Sequence, residues 1–150
     1  MTRWNKGAAV ALLALTLGGA GCATRETATH ETATLAGYWT AVQVLREGKV
    51  DPALSGHRIR FDGDHFAITR DGKTIFGGRV AFDPGASPPE IDFDQVESKT
   101  LAGTWKGIYA LKGDRLVICD NAYAMEKPRP RRFEDCSAPG YVLFRFKRAK

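Results

Sequence analysis

The chain has 150 residues and a mass of 16.4 kDa, which allows one domain of ordinary size and excludes a multidomain enzyme. Apolar residues make up 43% of the sequence and charged residues 26%, values that fit neither a disordered chain nor a polytopic membrane protein. The net charge of +5 is small, and basic residues alternate with acidic ones, so we do not expect a nucleic-acid partner.

The first 21 residues have the layout of an export signal. Arg3 and Lys6 form a basic stretch, residues 8–17 are apolar apart from Thr16, and small residues at 18–21 precede Cys22. This apolar run is far shorter than the roughly 20 residues that a transmembrane helix needs. We therefore expect residues 1–21 to be a signal peptide that is removed after translocation.

The segment ending at Cys22 reads Leu-Gly-Gly-Ala-Gly-Cys and resembles the lipobox of bacterial lipoproteins. The resemblance implies that the Cys22 sulfur receives a diacylglyceryl group and that the cysteine amine is acylated, which would anchor the chain to a membrane. The segment departs from the usual lipobox at Gly19, where the family most often carries Leu. Because Ala23 follows the cysteine, analogy with enterobacterial sorting favours the periplasmic face of the outer membrane. The alternative is ordinary secretion after cleavage behind Ala23.

Residues 22–34 predict a lipidated cysteine followed by a flexible tether. The sequence Glu-Thr-Ala-Thr occurs at 26–29 and again at 31–34, and the segment has no aromatic residue. Short polar residues of this kind cannot pack a core. We expect the folded domain to occupy residues 35–150.

From Leu35 onward, apolar and polar residues alternate and turn residues recur, which is typical of short antiparallel strands. The pattern predicts strands at 38–46, 57–61, 65–70, 74–82, 91–96, 104–111, 115–119 and 141–148. Glycine-containing turns at 62–64, 71–73 and 112–114 predict tight hairpins. The predicted fold class is all-β, an eight-stranded antiparallel up-and-down barrel, because closure of the sheet removes exposed strand edges.

Gly37-Tyr38-Trp39 in the first predicted strand resembles the Gly-x-Trp signature of the lipocalins, and Arg145 resembles the basic residue that caps this tryptophan. From about residue 35 to 148, the chain resembles an uncharacterised lipocalin-like domain common in planctomycete and some other bacterial envelope proteins. The matching motifs lie at 35–39, 91–93, 107–119 and 129–133. The resemblance implies the barrel fold, but it implies no activity because none is established for that family.

Cys119 and Cys136 remain once Cys22 is lipidated, and they form an even pair in an oxidising compartment. This predicts a disulfide, which would stabilise the domain by roughly 3 kcal/mol in the chain-entropy model. The alternative is that Cys119 is a buried small apolar residue at a strand end while Cys136 is an exposed thiol.

Residues 127–132 form a basic segment with two prolines, which predicts an extended surface loop. Its candidate docking residues are Lys127, Arg129, Arg131 and Arg132. As a functional site, the segment would attract anionic lipid headgroups or another acidic surface of the envelope. As a structural feature, it would be a solvated loop.

The sequence does not show the spacing of a catalytic or metal site. Two histidines and two aspartates lie within residues 57–65, but hairpin pairing separates the two imidazoles, so we expect surface histidines. Three carboxylates within 90–94 share one strand face and favour a solvated stripe over a calcium site. There is no serine-protease ordering, glycine-rich phosphate loop or zinc-spaced pair. We predict no enzymatic activity, no metal and no cofactor.

The aromatic residues of the predicted strands are candidates for lining a ligand pocket. These residues are Phe61, Phe66, Phe82, Phe93, Trp105, Tyr109 and Phe144. Eight-stranded barrels either fill with side chains or hold one small ligand, and short strands with bulky aromatics favour a filled or narrow interior. Two hypotheses follow: the barrel binds a small apolar or amphipathic ligand, or it is an interaction module with a packed interior that docks through its surface on an envelope component.

Overall fold

The computed structural model describes residues 34–96 and 103–150 of the chain. The predicted signal peptide, Cys22 and the tether before Thr34 lie outside these residues. The described strands are β1 (Gly37–Arg46), β2 (Lys49–Val50), β3 (Arg58–Asp62), β4 (His65–Arg70), β5 (Lys73–Asp83), β6 (Glu90–Gln95), β7 (Gly103–Lys112), β8 (Arg115–Asp120) and β9 (Val142–Arg148).

The strands form a closed antiparallel barrel, which confirms the predicted fold class. β1 pairs with β3, each later strand pairs with the next along the chain, and β9 returns to pair with β1. The short strand β2, which the periodicity does not predict, lies outside this closed ring and pairs only with β1. No helix within residues 34–96 and 103–150 is long and apolar enough to cross a membrane.

The predicted hairpin turns are confirmed by their backbone angles. Gly63 and Gly113 each have φ of 60°, and in the β4–β5 turn Asp71 and Gly72 have φ of 50° and 74°. Glycine adopts this left-handed conformation without steric cost, and aspartate tolerates it better than most residues. These three turn sequences therefore indicate where the β3–β4, β4–β5 and β7–β8 hairpins reverse direction.

One end of the barrel is closed around Trp39, which is fully buried. The indole Nε1 of Trp39 donates to the carbonyl of Leu35 at 2.8 Å, and the guanidinium of Arg148 lies 4.1 Å from the ring centre. The prediction that Arg145 caps Trp39 is wrong. β1 and β9 pair Trp39 with Arg148, whereas Arg145 is exposed and lies opposite Gln43. Register, which the sequence alone does not show, determines which basic residue reaches the tryptophan.

The half of the interior next to this closed end is filled with aromatic side chains. The rings of Phe61 and Phe82 meet edge to face at 5.4 Å, and Phe82 meets Tyr109 at 5.8 Å in the same geometry. Phe61 and Tyr109 are 2% and 1% exposed, so this half of the barrel is a packed core.

The β8–β9 connection, residues 121–141, leaves the barrel end and covers part of the outer wall. Its 3-10 turn Phe133–Ser137 brings Cys136 to the outward-facing Cys119, at a Cα separation of 6.0 Å. Cys119 and Cys136 pack with Ile108, Tyr141 and Leu143 in a second, smaller apolar cluster. The predicted pairing of the two cysteines is therefore confirmed, and the disulfide fastens the connection to β8.

Candidate ligand-binding cavity

A cavity of about 500 Å³ occupies the opposite end of the barrel, where β3 begins and β6 and β8 end. Its apolar wall includes Phe76, Phe93, Trp105, Ile118, Phe144 and Phe146. The expectation of a filled interior therefore holds for the closed half of the barrel and is wrong for the open half. Near the open end, the inward-pointing side chains do not fill the space between the strands.

Three of the seven aromatic residues predicted to line a pocket do so, namely Phe93, Trp105 and Phe144. The other four, Phe61, Phe66, Phe82 and Tyr109, do not line the cavity and belong to the packed core. Phe66 meets Phe93 at 5.0 Å and Trp105 at 5.6 Å, and the latter two rings stack at 5.1 Å. These three rings separate the packed half from the cavity.

Three buried polar residues that were not predicted as site residues also line the cavity. His57, Gln95 and Asp120 are 7%, 2% and 3% exposed. Gln95 continues the inward-facing positions of β6, and Asp120 continues those of β8. A polar residue in phase with apolar inward positions was the signal that could have revealed both residues.

Asp120 brings a carboxyl group into the apolar wall. Its Oδ1 accepts a hydrogen bond from the backbone N–H of Ala122 at 3.0 Å. Burial raises the pKa of Asp120 from 3.8 to about 7, against the lowering effect of this hydrogen bond. Gly107 lies opposite Asp120 on β7 and leaves room for its side chain. A Cβ at position 107 would lie only 2.9 Å from the Cβ of Asp120.

His57 is buried, so the expectation that both histidines lie on the surface is wrong for this residue. Its Nδ1 lies 2.8 Å from the carbonyl of Leu54, which can only accept, so Nδ1 carries the proton. In the neutral ring, Nε2 is then a hydrogen-bond acceptor. His65, in contrast, is exposed and lies 2.7 Å from the Asp64 carboxylate.

Gln95 supplies an unused hydrogen-bond donor. Its Nε2 is buried, and no described residue accepts a hydrogen bond from it. A buried amide nitrogen without a hydrogen-bond partner lowers the stability of the fold. A ligand that accepts a hydrogen bond from this nitrogen would therefore gain binding free energy.

Residues 122–126 form one side of the cavity mouth, and contacts of Asn121 and Tyr123 hold this segment in place. Asn121 is fully buried, accepts from the N–H of Lys106 at 2.7 Å and donates to the carbonyl of Lys127 at 2.6 Å. Arg46 stacks 4.0 Å from the ring centre of Tyr123 and donates to its hydroxyl at 2.7 Å. These contacts fix this wall of the cavity mouth in the absence of a ligand.

The predicted docking residue Arg129 is instead bound to the barrel. Its guanidinium lies 3.1 Å from a Glu90 oxygen and 2.7 Å from an Asp92 oxygen, and it donates to the carbonyls of Ile91 and Gly107 at 3.1 and 2.8 Å. The expectation that this arginine is available on the surface is wrong. The same contact neutralises two of the three carboxylates on the face of β6, which were expected to form a solvated stripe.

Two further residues of the basic segment also have intramolecular partners. Lys127 donates to the carbonyl of Pro139, and Arg132 lies 3.2 Å from the Asp135 carboxylate. Arg131 is exposed. The four side chains therefore do not form a single free basic surface, because Arg129 is bound to β6 while Lys127 and Arg132 contact groups of their own connection.

Comparisons with protein-family models, with curated proteins and with solved structures found no match to this chain. The resemblance to the lipocalin-like envelope family stays a prediction. Within the part of the chain that the structure describes, no group of three His, Cys, Asp or Glu side chains could hold a metal ion.

Proposed function

We propose that this protein is a non-enzymatic binding protein for a small amphipathic molecule, which it holds in the open half of the barrel. The observation that carries the proposal is the cavity of about 500 Å³, apolar over most of its wall and containing three buried polar residues. Ligand pockets are typically about 300–1,000 Å³, largely apolar, with a few convergent polar groups.

Binding would be driven by transfer of the apolar part of the ligand from water to the aromatic wall. Burial of apolar surface contributes about 25 cal/mol per Å² removed from water. The polar residues His57, Gln95 and Asp120 would then orient the ligand, since each places a hydrogen-bonding group in an otherwise apolar surface.

We also propose that the domain is tethered to the bacterial envelope through lipidated Cys22. The lipobox-like sequence supports this proposal. Leu35 is buried at the closed end of the barrel, next to Trp39. The tether would thus join the barrel at the end opposite the cavity mouth.

An environment-sensitive apolar fluorophore tests ligand binding directly. We expect the purified protein to bind the fluorophore and Ala122→Trp to weaken binding at least about tenfold, because Ala122 lines the cavity and an indole would occupy it. The matched control is Ala110→Trp, which adds the same side chain at an exposed position of β7. Absence of binding, or equal loss in both variants, would contradict the proposal.

A further inference from the structure

Asp120 places an acidic group in the cavity, and this group has no ion-pair partner among the described residues. Among the described residues, its hydrogen bond comes from the N–H of Ala122, and no ion pair reaches it. Arg58 also lines the cavity but forms no ion pair with Asp120, and Arg46 is engaged with Asp51 and Tyr123. A buried carboxylate without a cation is costly, so a ligand that brings the cation would stabilise it.

We propose that the cavity is selective for ligands that carry a protonated amine on an apolar body, with the ammonium group bound to Asp120. This inference rests on the proposed ligand-binding function and names the ligand class. An ammonium group has three donors and no acceptor, and here it would meet acceptors and aromatic faces.

The wall of the cavity that contains Asp120 fits an ammonium group better than a carboxylate or an alcohol. The Nε2 of His57 is an acceptor in the neutral ring, because Nδ1 donates to Leu54. The stacked rings of Phe93 and Trp105 line the same cavity and offer π faces to a cation. A carboxylate ligand would instead meet the charge of Asp120 with the same sign.

Gln95 would recognise a second group on the ligand. β7 lies between β6 and β8, and it pairs Gln95 with Gly103 but Asp120 with Gly107. This register separates the two side chains along the wall, so the free Nε2 of Gln95 would bind an acceptor oxygen that lies away from the amine.

Binding of an amine is also expected to release a proton, which makes it dependent on pH. The pKa of Asp120 is raised to about 7 by burial, so its ionised form gains population as the pH rises through that value. The other titratable groups lining the cavity are His57, Arg58, Tyr123 and Glu126. Comparison with His57→Gln separates the contribution of His57 from that of Asp120.

The experiment compares octylamine, octan-1-ol and octanoate, which share one apolar body, by calorimetric titration of the purified protein. We expect octylamine to bind at least about tenfold more tightly than octanol at pH 8, and octanoate to bind more weakly than both. Asp120→Asn is expected to remove the preference for the amine, so that octylamine binds the variant no more tightly than octanol does. In the wild type, the preference should shrink on going from pH 8 to pH 5.5.

Asp114→Asn is the matched control, because Asp114 lies exposed in the β7–β8 turn at the closed end. It should retain the preference for octylamine. If octanol binds and octylamine binds no more tightly, or if Asp120→Asn keeps the preference, the inference is overturned and the proposed ligand-binding function stands. If none of the three compounds binds, both are overturned.

Discussion

At the end of β8, the barrel wall turns a carboxyl group inward, and the surroundings of that group determine its charge. Asp120 is 3% exposed, and the groups that accompany it in the cavity wall are mainly apolar. In the unliganded protein, a proton is the simplest way to neutralise the carboxyl group. The folded state therefore binds this proton more strongly than the unfolded chain does.

We predict that Asp120 makes the unliganded protein less stable as the pH rises. Between the ordinary pKa of 3.8 and the folded pKa of about 7, the folded state holds a proton that the unfolded chain has lost. The free energy of unfolding should therefore fall by about 2 to 3 kcal/mol from pH 5 to pH 8 through this group. Chemical denaturation at both pH values, with Asp120→Asn as reference, measures the effect. A wild type and variant with equal pH dependence would contradict it.

At the residue scale, alternation predicted the inward-facing apolar side chains but not the three polar ones. Gln95 and Asp120 were in phase with the apolar residues of their strands, yet a polar residue near a strand end can equally belong to the following turn. His57 precedes β3, where alternation gives no orientation. Arg145 was predicted to cap Trp39, but strand pairing places Arg148 opposite Trp39, and this pairing register is not visible in the sequence.

Among the elements, the β8–β9 connection shows that a cluster of basic residues in the sequence does not by itself predict which of them stay free in the fold. Its residues 122–126 line the cavity mouth, and Arg129 then binds the outer face of β6 through Glu90 and Asp92. The sequence predicted the loop and the pairing of Cys119 with Cys136. It could not predict which basic residue is neutralised, because the acidic partners lie almost forty residues earlier and meet Arg129 only in the folded chain.

For the whole molecule, the barrel has two different ends. Trp39 and Arg148 close one end, and the cavity opens at the other. The barrel itself was predictable because alternation and turn chemistry are local signals. The cavity was not, because the space left between side chains from several strands depends on their packing and not on the pattern of any one strand.

We predict that Cys22→Ser moves the protein from the membrane fraction to the soluble fraction of the producing cells, because the serine hydroxyl cannot receive the thioether-linked lipid. Fractionation followed by immunodetection measures the distribution. Ser137→Ala serves as a control, since Ser137 is exposed on the folded domain and should leave the protein in the membrane fraction. Membrane retention of the Cys22→Ser protein would contradict lipid anchoring.

The two tryptophans of the folded domain give the most direct test of a ligand cavity at one end of the barrel. Trp105 lines the cavity, whereas Trp39 is buried at the closed end with its Nε1 bound to Leu35. In a proton–nitrogen correlation spectrum, with signals assigned by Trp105→Phe, a bound apolar ligand is expected to shift the indole signal of Trp105 and leave that of Trp39 in place. A saturating ligand that shifts Trp39 and not Trp105, or that shifts neither, would contradict a binding site in the open half.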